Sequence, residues 1–289
     1  MDERISIRPL ETQAEFWACH GVQKEAWAFP DLLIIPYTQL IAISHNGGVV
    51  LGAFHGVQLV GFVFGFLGRQ DGNPLYLFSQ RMGVLPEYQG QGIGERLKWT
   101  QRAWALERGL ERILWTYDPL ETPNAYLNVA KLGVVVRGYE RDIYGQHDSP
   151  LHRGVATDRF LVEWELSSDR VKARLSPRWT PTTVEELCGQ AAPPLNAVAP
   201  DGRHLPVCGA CDLGREGPSV LVEVPADWQG LRRADMDLAR AWRAKTREIL
   251  ELYLERRYSV TGYASGRIAG ERRNFYLLER CDCQPSRVG

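Results

Sequence analysis

The chain has 289 residues, of which 44% are hydrophobic, so it is long enough for one large or two medium domains with buried cores. Its 34 basic and 35 acidic residues nearly cancel, which excludes a strong electrostatic field for nucleic acid or an anionic membrane. No apolar run approaches the ~18 residues of a membrane span, and the charged N-terminus lacks a signal core, so we expect a cytoplasmic protein that acts on small molecules.

The first part of the chain alternates predicted helices and strands. Ile5 and Ile7 alternate with polar residues and predict a strand that stops at Pro9. Thr12 is a suitable N-cap for a helix that runs to about Trp27. The next predicted elements are a helix at 37–44 and strands at 49–54, 58–67 and 75–85, with a turn at Asp71-Gly72-Asn73-Pro74 before the last strand. This last strand leads directly into a glycine-rich loop.

A second alternation of helices and strands follows the loop. Thr122 is the predicted N-cap of a helix that ends at Gly133. The other predicted elements are a helix at 92–108 and strands at 112–117, 134–144 and 159–164. Over residues 3–166 the order is β-α-α-β-β-β-α-β-α-β-β, which indicates a mixed α/β (α+β) fold around one mixed sheet.

The rest of the chain changes character. Residues 167–218 are rich in proline, and Asp201-Gly202 is expected to turn a small hairpin there. Beyond it the pattern predicts a strand at 219–224, a long helix at about 231–257 and strands near 258–263 and 274–279. We therefore divide the chain into a domain at 1–166, a connecting segment at 167–218 and a smaller β-α-β-β region at 219–289.

The stretch from Met82 to Gly94 is the most informative part of the sequence. An apolar strand ends at Pro86, and Gly90, Gly92 and Gly94 then open a helix. Glycines accept positive φ and let backbone N–H groups approach an anion, to which the helix N-terminus adds its free amides. The loop therefore predicts a pyrophosphate site. No Gly-Lys-Ser/Thr follows, which excludes a P-loop, and the glycine spacing differs from that of a dinucleotide fold.

The segment Gln89-Gly90-Gln91-Gly92-Ile93-Gly94 resembles the Gln/Arg-x-x-Gly-x-Gly/Ala signature of the GNAT superfamily of coenzyme A-dependent acyltransferases. The predicted element order is also that of the GNAT fold. The resemblance implies a GNAT acyltransferase domain at 1–166, with acetyl-CoA as the cosubstrate and no metal.

The resemblance also implies where coenzyme A would bind. Its pantetheine arm would pair like an extra strand with backbone groups of Met82 and Val84. Its pyrophosphate would take backbone amides from Gln89, Gly90, Gln91, Gly92, Ile93 and Gly94. The thioester would lie where this strand and the strand at 112–117 splay apart, and a backbone N–H there would stabilise the oxyanion of a tetrahedral intermediate.

The proton carriers are less well specified. In many members of the family a tyrosine in the last helix protonates the leaving thiolate, within a pattern that resembles Asn-x-x-Ala-x-x-x-Tyr-x-Lys-x-Gly. Here Thr122 stands in the asparagine place and Val129 in the tyrosine place, so the usual acid is absent. Tyr126 and Tyr144 are the candidate acids, and each also fits a packing role. Asp118 is the candidate base, and it equally fits an Asp-Pro turn.

We therefore expect an N-acyltransferase in which an amine attacks the thioester directly, without a covalent enzyme intermediate. The acceptor is an unidentified small-molecule or peptide amine, with no nucleic acid or membrane partner, and the chain is either a monomer or a homodimer. The missing helix tyrosine favours one alternative, an acyl-CoA-binding protein or sensor without turnover. A second alternative is a related enzyme with another acyl donor, such as succinyl-CoA or an aminoacyl ester.

Two patterns in the C-terminal part have open interpretations. The stretch Val224-Pro225-Ala-Asp-Trp-Gln229-Gly230 is similar to Val84-Leu-Pro86-Glu-Tyr-Gln89-Gly90, which indicates either a degraded half-copy of the first domain or chance. Cys208-Gly-Ala-Cys211 and Cys281-Asp-Cys283 together offer four thiolates for zinc, although ordinary free thiols are the favoured interpretation.

Overall fold

A computed structural model describes residues 5–70, 74–145 and 153–281. The predicted turn at 71–73 and Cys283 lie outside these residues. The chain divides into two compact units, each with its own strands and helices. The described residues of the first unit are 5–70, 74–115 and 165–167, and those of the second unit are 116–145, 153–164 and 168–281.

The first unit follows the predicted element order closely. Helix α1 begins as expected, since the Thr12 hydroxyl accepts from the Glu15 N–H (3.3 Å) and the Glu15 carboxylate accepts from the Thr12 N–H (3.2 Å). The elements are β1 (Ser6–Pro9), α1 (Gln13–Trp27), α2 (Tyr37–His45), β2 (Val49–His55), β3 (Gln58–Gly68), β4 (Tyr76–Val84), α3 (Ile93–Leu106) and β5 (Arg112–Tyr117). Short 3₁₀ turns occur at Asp31–Leu33 and Pro86–Tyr88.

The strands of the first unit run in the order β1-β2-β3-β4-β5. The first four pair antiparallel with their neighbours, whereas β4 and β5 are parallel. Helix α3 packs on β2, β3 and β4 through Ile93 and Leu97, which are 2% and 0% exposed. Fully buried Phe62 and Phe64 lie on β3, which pairs with β4, so the strand that leads into the glycine loop is held against a well-packed neighbour.

The second unit begins within β5, whose last residues are Thr116 and Tyr117. Its elements are α4 (Thr122–Ala125), continued by a π-helical turn (Tyr126–Leu132), β6 (Val135–Glu140), β7 (Arg159–Glu165), α5 (Asp169–Arg174), α6 (Val184–Gln190), β8 (Asn196–Pro200), β9 (Pro206–Cys211), β10 (Ser219–Val224), α7 (Trp228–Ala234), α8 (Met236–Glu255), β11 (Tyr258–Ile268) and β12 (Glu271–Arg280).

Five strands of this unit form an antiparallel run in the order β7-β6-β11-β12-β10. Strands β8 and β9 form a separate hairpin whose turn begins at Asp201, as the sequence predicted. The core is unusually aromatic, and its fully buried side chains include Trp164, Trp242, Tyr253, Tyr258, Tyr263 and Tyr276. The fold class is mixed α/β, as predicted.

Two helix starts differ from the prediction. The long helix expected at 231–257 is two helices, because the Asp235 backbone is extended and its carboxylate caps α8 by accepting from the Leu238 N–H (2.9 Å). Helix α4 has Glu121 rather than Thr122 at its N-cap position, and Thr122 is its first helical residue.

No single helix of the described residues is long and apolar enough to cross a membrane. Only as a pair, bent by 114°, do Gln13–Trp27 and Asp31–His45 reach that length and composition.

Candidate functional site

Strands β4 and β5 pair only at their beginnings. The parallel ladder consists of Leu77 opposite Ile113 and Phe78 opposite Leu114, and the described residues of these strands form no further pair. Immediately beyond, β4 contains a bulge, since Phe64 of β3 pairs with Arg81 and the next residue, Gly65, pairs with Ser79. The predicted splay between the two strands is therefore present.

The splay leaves backbone groups of β4 without a strand neighbour. The Leu85 N–H donates to the Val60 carbonyl on β3 (2.9 Å). Because alternate residues of an antiparallel strand turn their peptide groups to opposite sides, Met82 and Val84 face away from β3. The Val84 carbonyl accepts from Gln89 Nε2 (3.0 Å). Among the described residues, neither the Met82 backbone nor the Val84 N–H has a ladder partner on the β5 side.

The loop after β4 presents backbone rather than side chains. Gly90 and Gly92 have φ of 76° and 77°, as expected, and a Cβ added at either would meet nothing within 4 Å. Gly94 lies inside α3 and has helical backbone, so only Gly90 and Gly92 of the three glycines use the positive φ that glycine permits. The loop surface from Gln89 to Gly92 is exposed, which leaves room for a ligand against its amides.

The N-terminus of α3 points its free amides into the same region. Gly92 is the N-cap and has no side chain that could accept a hydrogen bond, so it does not cap the first amides of α3, such as those of Ile93 and Gly94. Unpaired N–H groups and the positive end of the helix dipole together favour an anion. The buried Ile93 side chain fixes this end of the helix against the core.

The two glutamines of the signature brace the loop through their side chains. Gln89 Nε2 donates to the Val84 carbonyl, and Gln91 Nε2 donates to the Glu87 carbonyl (3.0 Å each). The Tyr88 hydroxyl and His55 Nδ1 lie 2.8 Å apart and tie the loop to β2. The Gln89 backbone N–H already donates to the Pro86 carbonyl (3.2 Å), so the backbone amides that can serve a ligand begin at Gly90.

Sequence reasoning missed a buried lysine at the point where β4 and β5 part. Lys98 on α3 is 3% exposed, and its ammonium donates to Ser79 Oγ (2.9 Å) and Gln101 Oε1 (2.8 Å). It also lies 3.8 Å from the centre of the Trp115 ring on β5. Burial lowers the pKa of Lys98 well below its ordinary value. The residues next to Lys98 in the sequence do not distinguish it from an ordinary lysine on the exposed face of a helix, so its burial was not predictable.

Aromatic residues from the end of α1 also cover β4. A Cβ added at Gly83 would lie 3.0 Å from the Trp27 ring, so this glycine permits the ring to pack on the strand. The Arg81 guanidinium lies 5.9 Å from the Trp27 ring centre and 5.3 Å from that of Phe29, and it donates to the Leu33 carbonyl (2.8 Å). The segment between α1 and α2 is thereby fixed beside the unpaired part of β4.

Asp118, the candidate base, is buried within the second unit. Its carboxylate forms an ion pair with Arg243 of α8, and both side chains are 3% exposed. It also accepts from the Leu120 N–H (2.9 Å), and Arg159 Nη1 lies 3.9 Å away. The carboxylate therefore holds a turn and a buried guanidinium, which favours the structural role that the sequence left open. Its role as a base stays a prediction.

The two candidate acids occupy different surroundings in the second unit. Tyr126 is partly buried at the start of the π-helical turn, and its ring centre lies 5.8 Å from the Lys131 ammonium. Tyr144 is 53% exposed and stacks at 5.2 Å from the Arg159 guanidinium. Val129, in the place of the usual tyrosine, is fully buried. The assignment of either tyrosine as the acid stays a prediction.

The cysteine pattern forms no metal site within residues 5–70, 74–145 and 153–281, where no group of three or more His, Cys, Asp or Glu side chains is arranged to hold an ion. Cys208 and Cys211 lie on β9 as free thiols, and Cys281 follows β12. Burial raises the pKa of Cys208 to about 11, so this thiol is protonated at neutral pH.

Several solved structures are similar to this chain. The ribosomal-protein-S18-alanine N-acetyltransferase from Escherichia coli is 16% identical over 61% of this chain and 99% of that one, with a TM-score of 0.46. The yncA protein of Salmonella typhimurium, solved with its cofactor acetyl-CoA, is 17% identical over 57% and 95%, with a TM-score of 0.48. The ribosomal-protein-alanine N-acetyltransferase from Brucella melitensis is 20% identical over 55% and 98%, with a TM-score of 0.45. A search of curated proteins finds no match.

Residues 11–129 match the model of the Acetyltransferase (GNAT) family. The matched stretch contains the splay between β4 and β5, the glycine loop and the uncapped start of α3. The part of the chain at residues 11–129 is therefore a GNAT acetyltransferase domain by its family match.

Proposed function

We propose that the chain is an acyl-CoA-dependent N-acyltransferase that uses acetyl-CoA and transfers the acyl group to an amine of a small molecule or peptide. One observation carries the proposal. The edge of β4 at Met82 and Val84 has no strand partner among the described residues, and the chain runs from it through the turn at Pro86–Tyr88 to the start of α3, which has no side-chain cap. A ligand with an amide-bearing arm attached to a pyrophosphate matches both features in that order. Coenzyme A is such a ligand, and the family match gives acyl transfer as the class of reaction.

Each part of the cofactor has a group to meet it in the first unit. The amides of pantetheine would pair with the backbone of Met82 and Val84 as a short added strand. The pyrophosphate oxygens would accept from N–H groups between Gln89 and Gly94, where glycines keep side chains away. The thioester would then lie at the splay, beyond the last pair of β4 and β5.

The reaction needs one bond to form and one to break. The neutral amine nitrogen attacks the thioester carbonyl carbon, and the resulting oxyanion would be stabilised by a backbone N–H at the unpaired edge of β4. Collapse of this intermediate breaks the C–S bond and releases the thiolate. The amine loses one proton and the thiolate gains one, so the protons balance. Much of the rate would come from holding the two reactants together.

Asp118, Tyr126 and Tyr144 are our candidates for moving these protons. Asp118 is the weakest of them, because its carboxylate already holds Arg243 and the Leu120 N–H. The buried Val129 in place of the usual tyrosine supports the alternative of an acyl-CoA-binding protein without turnover. The two functions are separated by measuring release of the coenzyme A thiol from acetyl-CoA in the presence of a panel of amines, with a chromogenic thiol reagent.

The proposed pyrophosphate site at residues 89–94 is tested by Gly92→Glu, with Gly56→Glu as the matched control. Both glycines have left-handed φ, 77° and 59°, and a Cβ at either meets nothing within 4 Å, so the backbone strain is comparable. A carboxylate at residue 92 would occupy the anion site, whereas one at residue 56 lies in the turn between β2 and β3. We expect acetyl-CoA affinity in calorimetric titration to fall about 100-fold or more, roughly 2.7 kcal/mol, only for Gly92→Glu.

Retained affinity in the Gly92→Glu protein would overturn the assignment of residues 89–94 as the pyrophosphate site. An equal loss in Gly56→Glu would attribute the effect to strain instead of to the anion site. Titration with desulfo-coenzyme A, which lacks the thiol, should give a similar affinity, since the proposed contacts lie on the pantetheine and the pyrophosphate.

A further inference from the structure

The second unit contains a cavity of about 890 Å³ that the proposed cofactor site does not use. One wall comes from the start of α4, with Glu121 and Tyr126. The opposite wall is the segment that opens α7, with Trp228 and Gln229, and Arg272 of β12 contributes from the side. The cavity is large enough for a small organic ligand of drug size.

The carboxyl group of Glu121 lines this cavity, and only one of its two oxygens accepts a hydrogen bond from the described residues. Gln229 Nε2 donates to Glu121 Oε1, and Gln229 Oε1 in turn accepts from Arg232 Nη1 (2.9 Å). The second oxygen of Glu121 makes no hydrogen bond within the part of the chain that the structure describes. Burial, with a smaller contribution from the charge of Asp118, raises the pKa of Glu121 to about 7. A cation next to this oxygen would form a hydrogen bond with its free lone pairs. The cation would also stabilise the ionised form of the Glu121 carboxyl.

The walls around Glu121 are aromatic and carry more negative than positive groups. Trp228 is 2% exposed, and its indole N–H has no hydrogen-bond partner among the described residues. Asp227 caps α7 by accepting from the Gly230 N–H (2.8 Å). Arg272 is the guanidinium of the lining, and it is engaged with Ser265 Oγ (3.2 and 3.3 Å). Tyr126 is only partly buried and lines the cavity, so its ring can contact an aromatic or apolar group of a ligand.

We propose that this cavity binds a primary amine that carries an aromatic or apolar group, held as the ammonium by the Glu121 carboxylate. N-acyl transfer calls for an amine acceptor, so the inference rests on the proposed function for the role of the ligand. A carboxylate ligand is disfavoured, because the lining residues Glu121 and Asp227 would both repel it. Arg272 is the one guanidinium among the described lining residues; Arg232 and Arg243 also act on Glu121 but do not line the cavity.

The probe is tyramine, titrated calorimetrically into the full-length protein without coenzyme A. Its control is tyrosol, the same molecule with a hydroxyl in place of the amine. We expect tyramine to bind at least about tenfold more tightly than tyrosol, since only the ammonium forms a charged hydrogen bond. Glu121→Gln should remove this preference, whereas Glu248→Gln, at an exposed position of α8, should leave it unchanged.

The pH dependence provides a test that needs no variant. The charged groups around Glu121 are Asp118, Arg232 and Arg243, with Asp227 and Arg272 in the cavity walls. An alkylamine stays protonated below about pH 9, so the change in binding between pH 6 and pH 8 reports on Glu121. As this carboxyl ionises, tyramine affinity should rise about tenfold, and tyrosol affinity should stay flat.

Equal binding of tyramine and tyrosol would overturn the proposal, as would a folded Glu121→Gln protein with the wild-type preference for the amine. Tighter binding of 4-hydroxyphenylacetate than of tyramine would overturn it in favour of an anion site. Each of these outcomes leaves the titration with acetyl-CoA unaffected, so failure of the amine site and failure of the cofactor site are distinguishable.

Discussion

The ion pair between Asp118 and Arg243 joins residues 125 positions apart within the second unit. Both side chains are almost fully buried, and Arg159 is the next cation, 3.9 Å from Asp118. Removing one partner of such a pair leaves an uncompensated buried charge, which typically costs about 3–5 kcal/mol. We expect Asp118→Asn to lower the free energy of unfolding by this amount in urea titrations.

A double variant separates the charge effect from packing. In Asp118→Leu/Arg243→Met both charges are replaced by apolar groups, so much of the lost stability should return. If Asp118→Asn were as stable as the wild type but slower in acyl transfer at unchanged acetyl-CoA affinity, the structural role would be wrong and the carboxylate would act on the substrate.

The buried Lys98 of the first unit leads to a prediction about acetyl-CoA binding. Its ammonium bridges Ser79, just past the last pair of β4 with β5, and the Trp115 ring on β5. We infer that it positions the two strands where they part. Lys98→Met should weaken acetyl-CoA binding about tenfold, since β4 would no longer be held in the pairing geometry. The melting temperature should change little, because the cost of burying the lysine amine is also removed.

The control for Lys98 is Lys172→Met, a lysine exposed on α5. It should leave both acetyl-CoA affinity and stability unchanged. If Lys98→Met lowered the melting temperature strongly while binding acetyl-CoA normally, the lysine would be only a core residue.

At the scale of elements, the sequence predicted those with a local chemical start or stop. Helix α1 begins at a capping box that Thr12 and Glu15 form within four residues of chain, and the helical segment after α4 ends at Gly133, whose φ of 72° needs a glycine. The glycine loop was predictable for the same reason, because its pattern of left-handed residues and helix entry is contiguous.

The features that sequence reasoning missed depend on partners far away in the chain. Two contacts have no signature in neighbouring residues: the ion pair of Asp118 with Arg243, and the contacts of Lys98 with Ser79 on β4 and Trp115 on β5. The break between α7 and α8 had a local signal in Asp235, but the apolar stripe of the helix outweighed it. The π-helical turn after α4 likewise follows from packing, since its residues continue a helical pattern.

The starts of α3 and α7 show why a similar sequence gives different helix ends. Gly92 leaves the first amides of α3 without a cap, whereas the Asp227 carboxylate accepts from the Gly230 N–H at the start of α7. A Cβ added at Gly230 would lie 2.1 Å from that carboxylate. The negative charge of Asp227 at the start of α7 repels an anion, so a second cofactor is not expected there. The interpretation of residues 219–289 as a half-copy stays a hypothesis, and it would not include a second cofactor site.

At the scale of the whole molecule, the free energy of unfolding depends on pH through titratable groups near both candidate sites. Buried groups with opposite shifts lie in the two units: Lys98, whose pKa is lowered, and Glu121, whose pKa is raised. For Lys98 the unfolded chain binds more protons, so its contribution to stability grows with rising pH up to its ordinary pKa. For Glu121 the folded chain binds more protons, so its contribution has the opposite sign.

The contribution of Glu121 can be isolated by comparing the wild type with Glu121→Gln. Its pKa rises from an ordinary 4.5 to about 7, so the stability it provides is complete below pH 4.5 and is lost as pH rises towards and through 7. Between pH 5 and pH 8 the loss should be about 2–3 kcal/mol. Urea unfolding should show the stability of the wild type falling relative to Glu121→Gln by this amount over that range, since glutamine does not titrate. A constant difference between the two proteins would mean that Glu121 ionises with an ordinary pKa, and the pH dependence expected for amine binding would disappear with it.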